Sequence, residues 1–174
     1  NFWNELNLET GNYIILTLHR PSNVDEENSL IDLLKGIDEM VGHKKVIFPI
    51  HPRTKAILGE QNLNLKNIML VEPQGYLNFM HLIKNSFAVI TDSGGISEET
   101  TVLGIPCFTL RTTTERPETV NIGTNHLIGI SLENLKKIFG EFLVNGPKRA
   151  GIPELWDGKA SDRIITILLE IFNK

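Results

Sequence analysis

Short apolar runs alternate with segments of helical periodicity along the chain, and this alternation restricts the fold more than any other feature. Tyr13–Leu18, Lys45–Ile50, Ile68–Val71, Phe87–Thr91 and Pro106–Leu110 are brief and mostly apolar, and Leu127–Ile130 is a shorter sixth run. Runs without polar alternation predict strands covered on both faces. Between them lie helical patterns. In Ser29–Val41, Leu30, Leu33, Leu34, Ile37, Met40 and Val41 recur at helical spacing. Further helices are predicted near Thr54–Glu60, over Tyr76–Asn85, over Gly95–Leu103 before the stop signals Gly104 and Pro106, and over Leu132–Val144 behind an N-cap at Ser131. A last helix is expected over Ser161–Phe172. Strands that alternate with helices predict an α/β class, with a doubly wound, Rossmann-like parallel sheet.

The 174 residues suffice for one such domain with a sizeable core. The formal net charge of -4 and the pI near 5.7 argue against a broad basic surface, so nucleic acid is not an expected partner. No stretch approaches the roughly 20 apolar residues of a membrane helix, and no signal peptide is visible, so a cytoplasmic protein without membrane contact is expected. Cys107 has no partner cysteine and lies in an apolar run, which reads as a buried small hydrophobe. The chain starts at Asn1 rather than methionine, as a fragment or processed product would. Asn1–Asn12 and Asn145–Gly158 are the linker-like pieces. In the final helix Ile164, Ile165, Ile167, Leu168, Leu169, Ile171 and Phe172 surround nearly the whole circumference. One apolar stripe would serve a helix on one sheet face. Two readings stay open: a deeply packed terminal helix, or a helix that also touches a domain outside this chain. Phe2 and Trp3 are compatible with the second.

Ligands of open α/β sheets bind beyond the carboxyl ends of the strands, where the strand order reverses. That places Thr17–Asp25 beside Thr91–Gly95. Ser93-Gly94-Gly95 opens a helix, where glycines permit positive φ and close approach and where exposed amides favour an anion. The same turn also serves as a plain tight connection. Glu98 and Glu99 follow in what reads as the first turn. There a carboxylate complements the helix dipole, or accepts two hydrogen bonds from a ribose diol. His19-Arg20, His51-Pro52-Arg53 and Arg111–Glu118 follow the first, second and fifth strands on the same edge. Such loops suit an anionic, hydroxyl-rich ligand.

These blocks resemble a known family. Thr17–Asp25 is similar to the TxHRxxNVD block of the non-hydrolysing UDP-N-acetylglucosamine 2-epimerases, and Phe48–Arg53 to their PxHP segment. Glu72–Phe79, Thr91–Glu99 and Arg111–Glu118 resemble EPxxYxxF, TDSGGxxEE and RxTTERPE, and Asp157–Ser161 resembles the family's ending. The resemblance covers almost the whole chain. It implies the second domain of a glycosyltransferase-B-like fold, with residues 159–173 as a closing helix that crosses to a first domain absent from this chain.

By that resemblance Phe79 stacks on uracil, Ser93, Gly94 and Gly95 hold the diphosphate, Glu99 holds the ribose, and Arg116 contacts the nucleotide. His19 is implicated in catalysis. Arg20 belongs with the UDP-contacting residues near the domain interface, and His51 with a second, activating UDP-GlcNAc site of some bacterial members. Ser22 and Gln74 depart from the pattern, at the positions of a common glutamate and leucine. The implied reaction interconverts UDP-GlcNAc and UDP-ManNAc by elimination and re-addition of UDP through a 2-acetamidoglucal. Its proton-transfer carboxylates belong to the first domain. Neither metal nor NAD is implied, and the expected partners are UDP-GlcNAc or UDP, the first domain and a second copy of the parent protein. The alternatives are another nucleotide-sugar enzyme of the same architecture and a non-catalytic nucleotide-binding module.

Overall fold

The apolar runs become six parallel strands. A computed structural model of the chain describes residues 5–24, 27–58 and 64–172; Phe2, Trp3 and Asp25 lie outside the described residues. The strands are β1 (Tyr13–Thr17), β2 (Lys45–Pro49), β3 (Ile68–Val71), β4 (Ala88–Thr91), β5 (Cys107–Thr109) and β6 (Asn125–Leu127). Their order is β3-β2-β1-β4-β5-β6 and every pairing is parallel. The order reverses between β1 and β4, as a doubly wound sheet requires. There Ile14 pairs with Ala88 and Thr17 with Thr91, so both strands end at the same height.

The helices are α1 (Pro21–Val24), α2 (Glu27–Met40), α3 (Pro52–Leu58), α4 (Tyr76–Lys84), α5 (Gly94–Leu103), α6 (Pro117–Asn121), α7 (Leu132–Asn145) and α8 (Ala160–Phe172). They cover both faces. On one face Ile14, Leu16, Val46, Phe48, Ile90 and Phe108 pack under α2 and α7. On the other, Tyr13, Ile15, Ile47 and Val89 pack under α4 and α5. Successive residues of β1 therefore serve opposite layers, which explains why the strand is apolar throughout. The larger layer is tightened by aromatic contacts of Phe108 with Phe139 and Phe142, at 5.3 Å each. Cys107 is fully buried, and burial pushes its thiol up to about 11. It is packing material, as expected.

Local chemistry sets the boundaries. Gly104 closes α5 in the left-handed region at φ 71°, which only glycine adopts freely. The Ser131 hydroxyl accepts from the Asn134 amide and starts α7. Asp38, near the end of α2, accepts from the backbone N–H groups of Lys66, Asn67 and Ile68 at 2.7–3.1 Å and so fixes the start of β3.

Three expectations need correction. The sixth strand begins two residues earlier than the apolar run, because Asn125 enters the ladder fully buried. Its amide is satisfied by accepting from Thr109 Oγ1 at 2.6 Å and donating to Thr119 Oγ1 at 3.2 Å. The short helices α1 and α6 were not anticipated, each being a single turn led by proline. The deeply packed reading of the terminal helix does not hold. No residue of α8 is buried, and its seven large apolar side chains are 45–81% exposed. Its N-terminal end is well anchored. Asp157 accepts from the Lys159 amide and from both terminal nitrogens of Arg163, each at 3.0 Å.

Candidate functional site

At the switch point the sequence sets two polar loops on the ends of two strands. The Thr17 and Thr91 hydroxyls meet at 2.6 Å across the last paired residues of β1 and β4. The next residue after β4, Asp92, has no solvent exposure. A buried carboxylate is costly unless it is hydrogen-bonded, and this one is saturated. Its Oδ2 accepts from the His19, Arg20 and Asn23 nitrogens at 3.0, 2.9 and 3.0 Å. Its Oδ1 lies 2.7 Å from His19 Nδ1. Asp92 thus ties the β1 loop to β4 and holds the His19 ring, which is 58% exposed, over the crevice.

Ser93 precedes α5 in extended conformation, and its hydroxyl makes no capping bond to the helix. Its amide donates to Thr91 Oγ1 at 3.0 Å. The two glycines are not needed for positive φ, contrary to the sequence-based expectation, since neither adopts it. Gly94 is favoured by a tight approach. A Cβ there would stand 3.0 Å from Arg111 Nη1 and 3.6 Å from Glu115 Oε2. A Cβ on Gly95 would meet no atom within 4 Å. Space is therefore open beside the first turn of the helix, whose N-terminal amides favour an anion.

Arg111 supplies fixed positive charge behind this turn. Its side chain is 6% exposed, and Nη2 donates to Glu115 Oε1 at 2.6 Å. That hydrogen bond, foremost, holds the Glu115 carboxyl down to about 2, with Arg20 adding a weaker attraction. The sequence marks Arg111 only as a loop cation. Its burial beside Gly94 makes it part of the crevice.

The remaining expected residues form a second ring. Glu98 and Glu99 are the fifth and sixth residues of α5, beyond its first turn, so dipole complementarity does not explain them. Glu98 accepts from Arg116 Nε at 2.6 Å, and Glu99 accepts from the Tyr76 hydroxyl at 3.0 Å. Glu99 raises the Tyr76 phenol, first through that hydrogen bond. Both carboxylates line a groove of about 430 Å³ with Tyr76, Met80, Val102 and Trp156. Phe79 lies one turn beyond Tyr76 on α4, half-buried against the core layer of Tyr13 and Ile15. His51 is exposed at the end of β2, the neighbour of β1 on the side away from β4. Sequence reasoning assigned no role to Asp92, Asn23 or Tyr76. The available signal was Asp92 itself, an acid directly after a strand buried on both faces.

Fold and site define the class: a Rossmann-like α/β domain with a polar, anion-compatible sheet edge at its switch point. The chain matches the UDP-N-acetylglucosamine 2-epimerase family over residues 1–169 and belongs to that family. It is 44% identical over 174 residues to the UDP-N-acetylglucosamine 2-epimerase of Methanocaldococcus jannaschii, covering 96% of this chain and 47% of that protein. The crystal structure of the Methanocaldococcus jannaschii enzyme in complex with UDP-GlcNAc and UDP is similar at a TM-score of 0.82 and 43% identity, over 97% of this chain and 47% of that one. The E. coli heptosyltransferase WaaC shares the fold alone, at 13% identity and a TM-score of 0.53, over 78% of this chain and 44% of that one. The chain thus spans about half the length of the curated relatives it matches.

Proposed function

We propose that this chain is the UDP-binding half of a non-hydrolysing epimerase that interconverts UDP-GlcNAc and UDP-ManNAc. The carrying observation is what the switch point brings together: the N-terminal turn of α5 with open space beside Gly95, His19 held by Asp92, and the buried Arg111 beside Gly94. A diphosphate matches that arrangement in charge. Ser93, Gly94 and Gly95 grip it with backbone amides and a free-standing hydroxyl. Arg20 and Arg116 add charge at the rim, Arg116 after leaving Glu98. Glu99 takes the ribose hydroxyls in the groove, and Phe79 meets the uracil.

In the reaction UDP leaves C1 as an anion while the C2 proton is removed, and then adds back after protonation on the other face. Donors aimed at developing negative charge lower such a barrier. Helix amides, Arg111 and His19 supply them here, whereas proton transfer at C2 falls to carboxylates of the other half. That half would also cover α8, whose bare apolar face and the half-length match to relatives both support a partner domain of the same protein. A cytoplasmic location, a homodimeric parent and a second UDP-GlcNAc near His51 belong to the same reading.

The test is calorimetry with UDP, followed by incubation with UDP-GlcNAc in heavy water. The chain alone should bind UDP weakly, form no UDP-ManNAc and exchange no C2 proton. Joined to the missing half, it should do both. UDP-ManNAc formation by the chain alone would overturn the division of labour, and absence of UDP binding would overturn the site.

A further inference from the structure

We infer that Asp92 is a positioning residue that fixes the tautomer of His19, so that Nε2 is the ring atom that meets the ligand. An ionised carboxylate only accepts hydrogen bonds. His19 Nδ1, at 2.7 Å from Asp92 Oδ1, therefore carries hydrogen. Asp92 is fully buried and held by three further donors, two of them backbone amides of the very loop that carries the ring. It cannot swing away without abandoning the loop. In the neutral ring the lone pair then lies on Nε2, and Nε2 gains or loses the proton on the crevice side. The partner of a metal-free histidine sets which nitrogen does this work.

The geometry makes a specific demand on Asp92→Asn. Three N–H groups converge on the Oδ2 position. An amide has one oxygen, and it must stay there. Its NH₂ group then faces His19 Nδ1, where two N–H groups would collide. The ring relieves this by moving its hydrogen to Nε2, so the substitution keeps the loop and inverts the tautomer.

Long-range ¹H–¹⁵N correlation spectra of the 174-residue chain read this directly, at a pH where the ring is neutral. The wild type should show the hydrogen on Nδ1, and Asp92→Asn should show it on Nε2. Hydrogen on Nε2 in the wild type would overturn the inference, and that measurement requires no variant to fold. A second test rests on the proposed UDP site. Against an anion the wild-type ring donates from Nε2 as the imidazolium paired with the Asp92 carboxylate, whereas Asp92→Asn leaves only a neutral Nε2–H donor. Asp92→Asn and His19→Gln should therefore each weaken UDP about tenfold, and the double variant should bind like His19→Gln alone. Losses that multiply would show that Asp92 acts through the loop and not through the ring. If wild-type chain fails to bind UDP, the functional reading falls, while the tautomer still decides the role of Asp92.

Discussion

Gly95→Ala separates what the fold needs from what a ligand needs. Gly95 is the second residue of α5, its φ is not positive, and a Cβ would find no atom within 4 Å. Alanine is favoured over glycine by about 0.8–1.0 kcal/mol in a helix interior, and near the first turn about half of that is expected. For a domain of this size a gain of about 0.5 kcal/mol raises Tm by about 1–2 °C. The same methyl occupies the space proposed for the diphosphate. Losing one charge-assisted hydrogen bond of about 1.5–3 kcal/mol weakens UDP by about tenfold or more. Thermal melts and UDP calorimetry on one preparation check both numbers. A raised Tm with unchanged UDP affinity would refute the reasoning, because it would place the ligand elsewhere. Gly94→Ala is the control: its Cβ crowds the buried Arg111, so it should lower Tm as well as affinity.

Glu99→Ala should weaken UDP more than Glu98→Ala in calorimetry, because Glu98 is engaged with Arg116 and its loss frees that cation for the nucleotide. Asp38→Ala should destabilise the chain by about 2 kcal/mol in urea unfolding, since it strips acceptors from three backbone amides at the start of β3. Acid behaviour follows from two depressed carboxyls. Glu115 and Asp157 are each lowered to about 2, through hydrogen bonds from Arg111 and Arg163. A lowered folded value means their stabilisation is present above the ordinary carboxylate range and is lost as pH falls from about 4 toward 2. Both groups are exposed, so the loss is small. Carbon-detected NMR titration should find both still ionised at pH 3, and midpoints near 4 would contradict the pairings.

The layered fold is legible because a parallel strand covered twice must be apolar at nearly every position. β1 and β4 satisfy that rule, and their polar sequels therefore fall at one sheet edge. β6 is legible only in part, since Asn125 is buried by hydrogen bonds that local patterning does not reveal. The glutamates were displaced by one residue at the helix start, enough to suggest a dipole role where pairing with Arg116 and Tyr76 is found. The burial of Arg111 and the saturation of Asp92 are tertiary facts. Each depends on what arrives from β1 or β5, and neither leaves a periodic trace. The hydrophobicity of α8 is plain in the sequence, but its bareness depends on what surrounds the rest of the fold.

Asp92 has a consequence for assembly. Its hydrogen bonds span 69 to 73 residues of chain and join β1 to β4. A folding chain that has paired only β1, β2 and β3 therefore has no crevice, however well those strands are formed. The crevice appears when β4 docks, at the step with the long loop closure. A ligand held there stabilises the two halves of the sheet against parting, not merely a surface loop. Binding at this site is accordingly a gauge of whether the central strands have met in register.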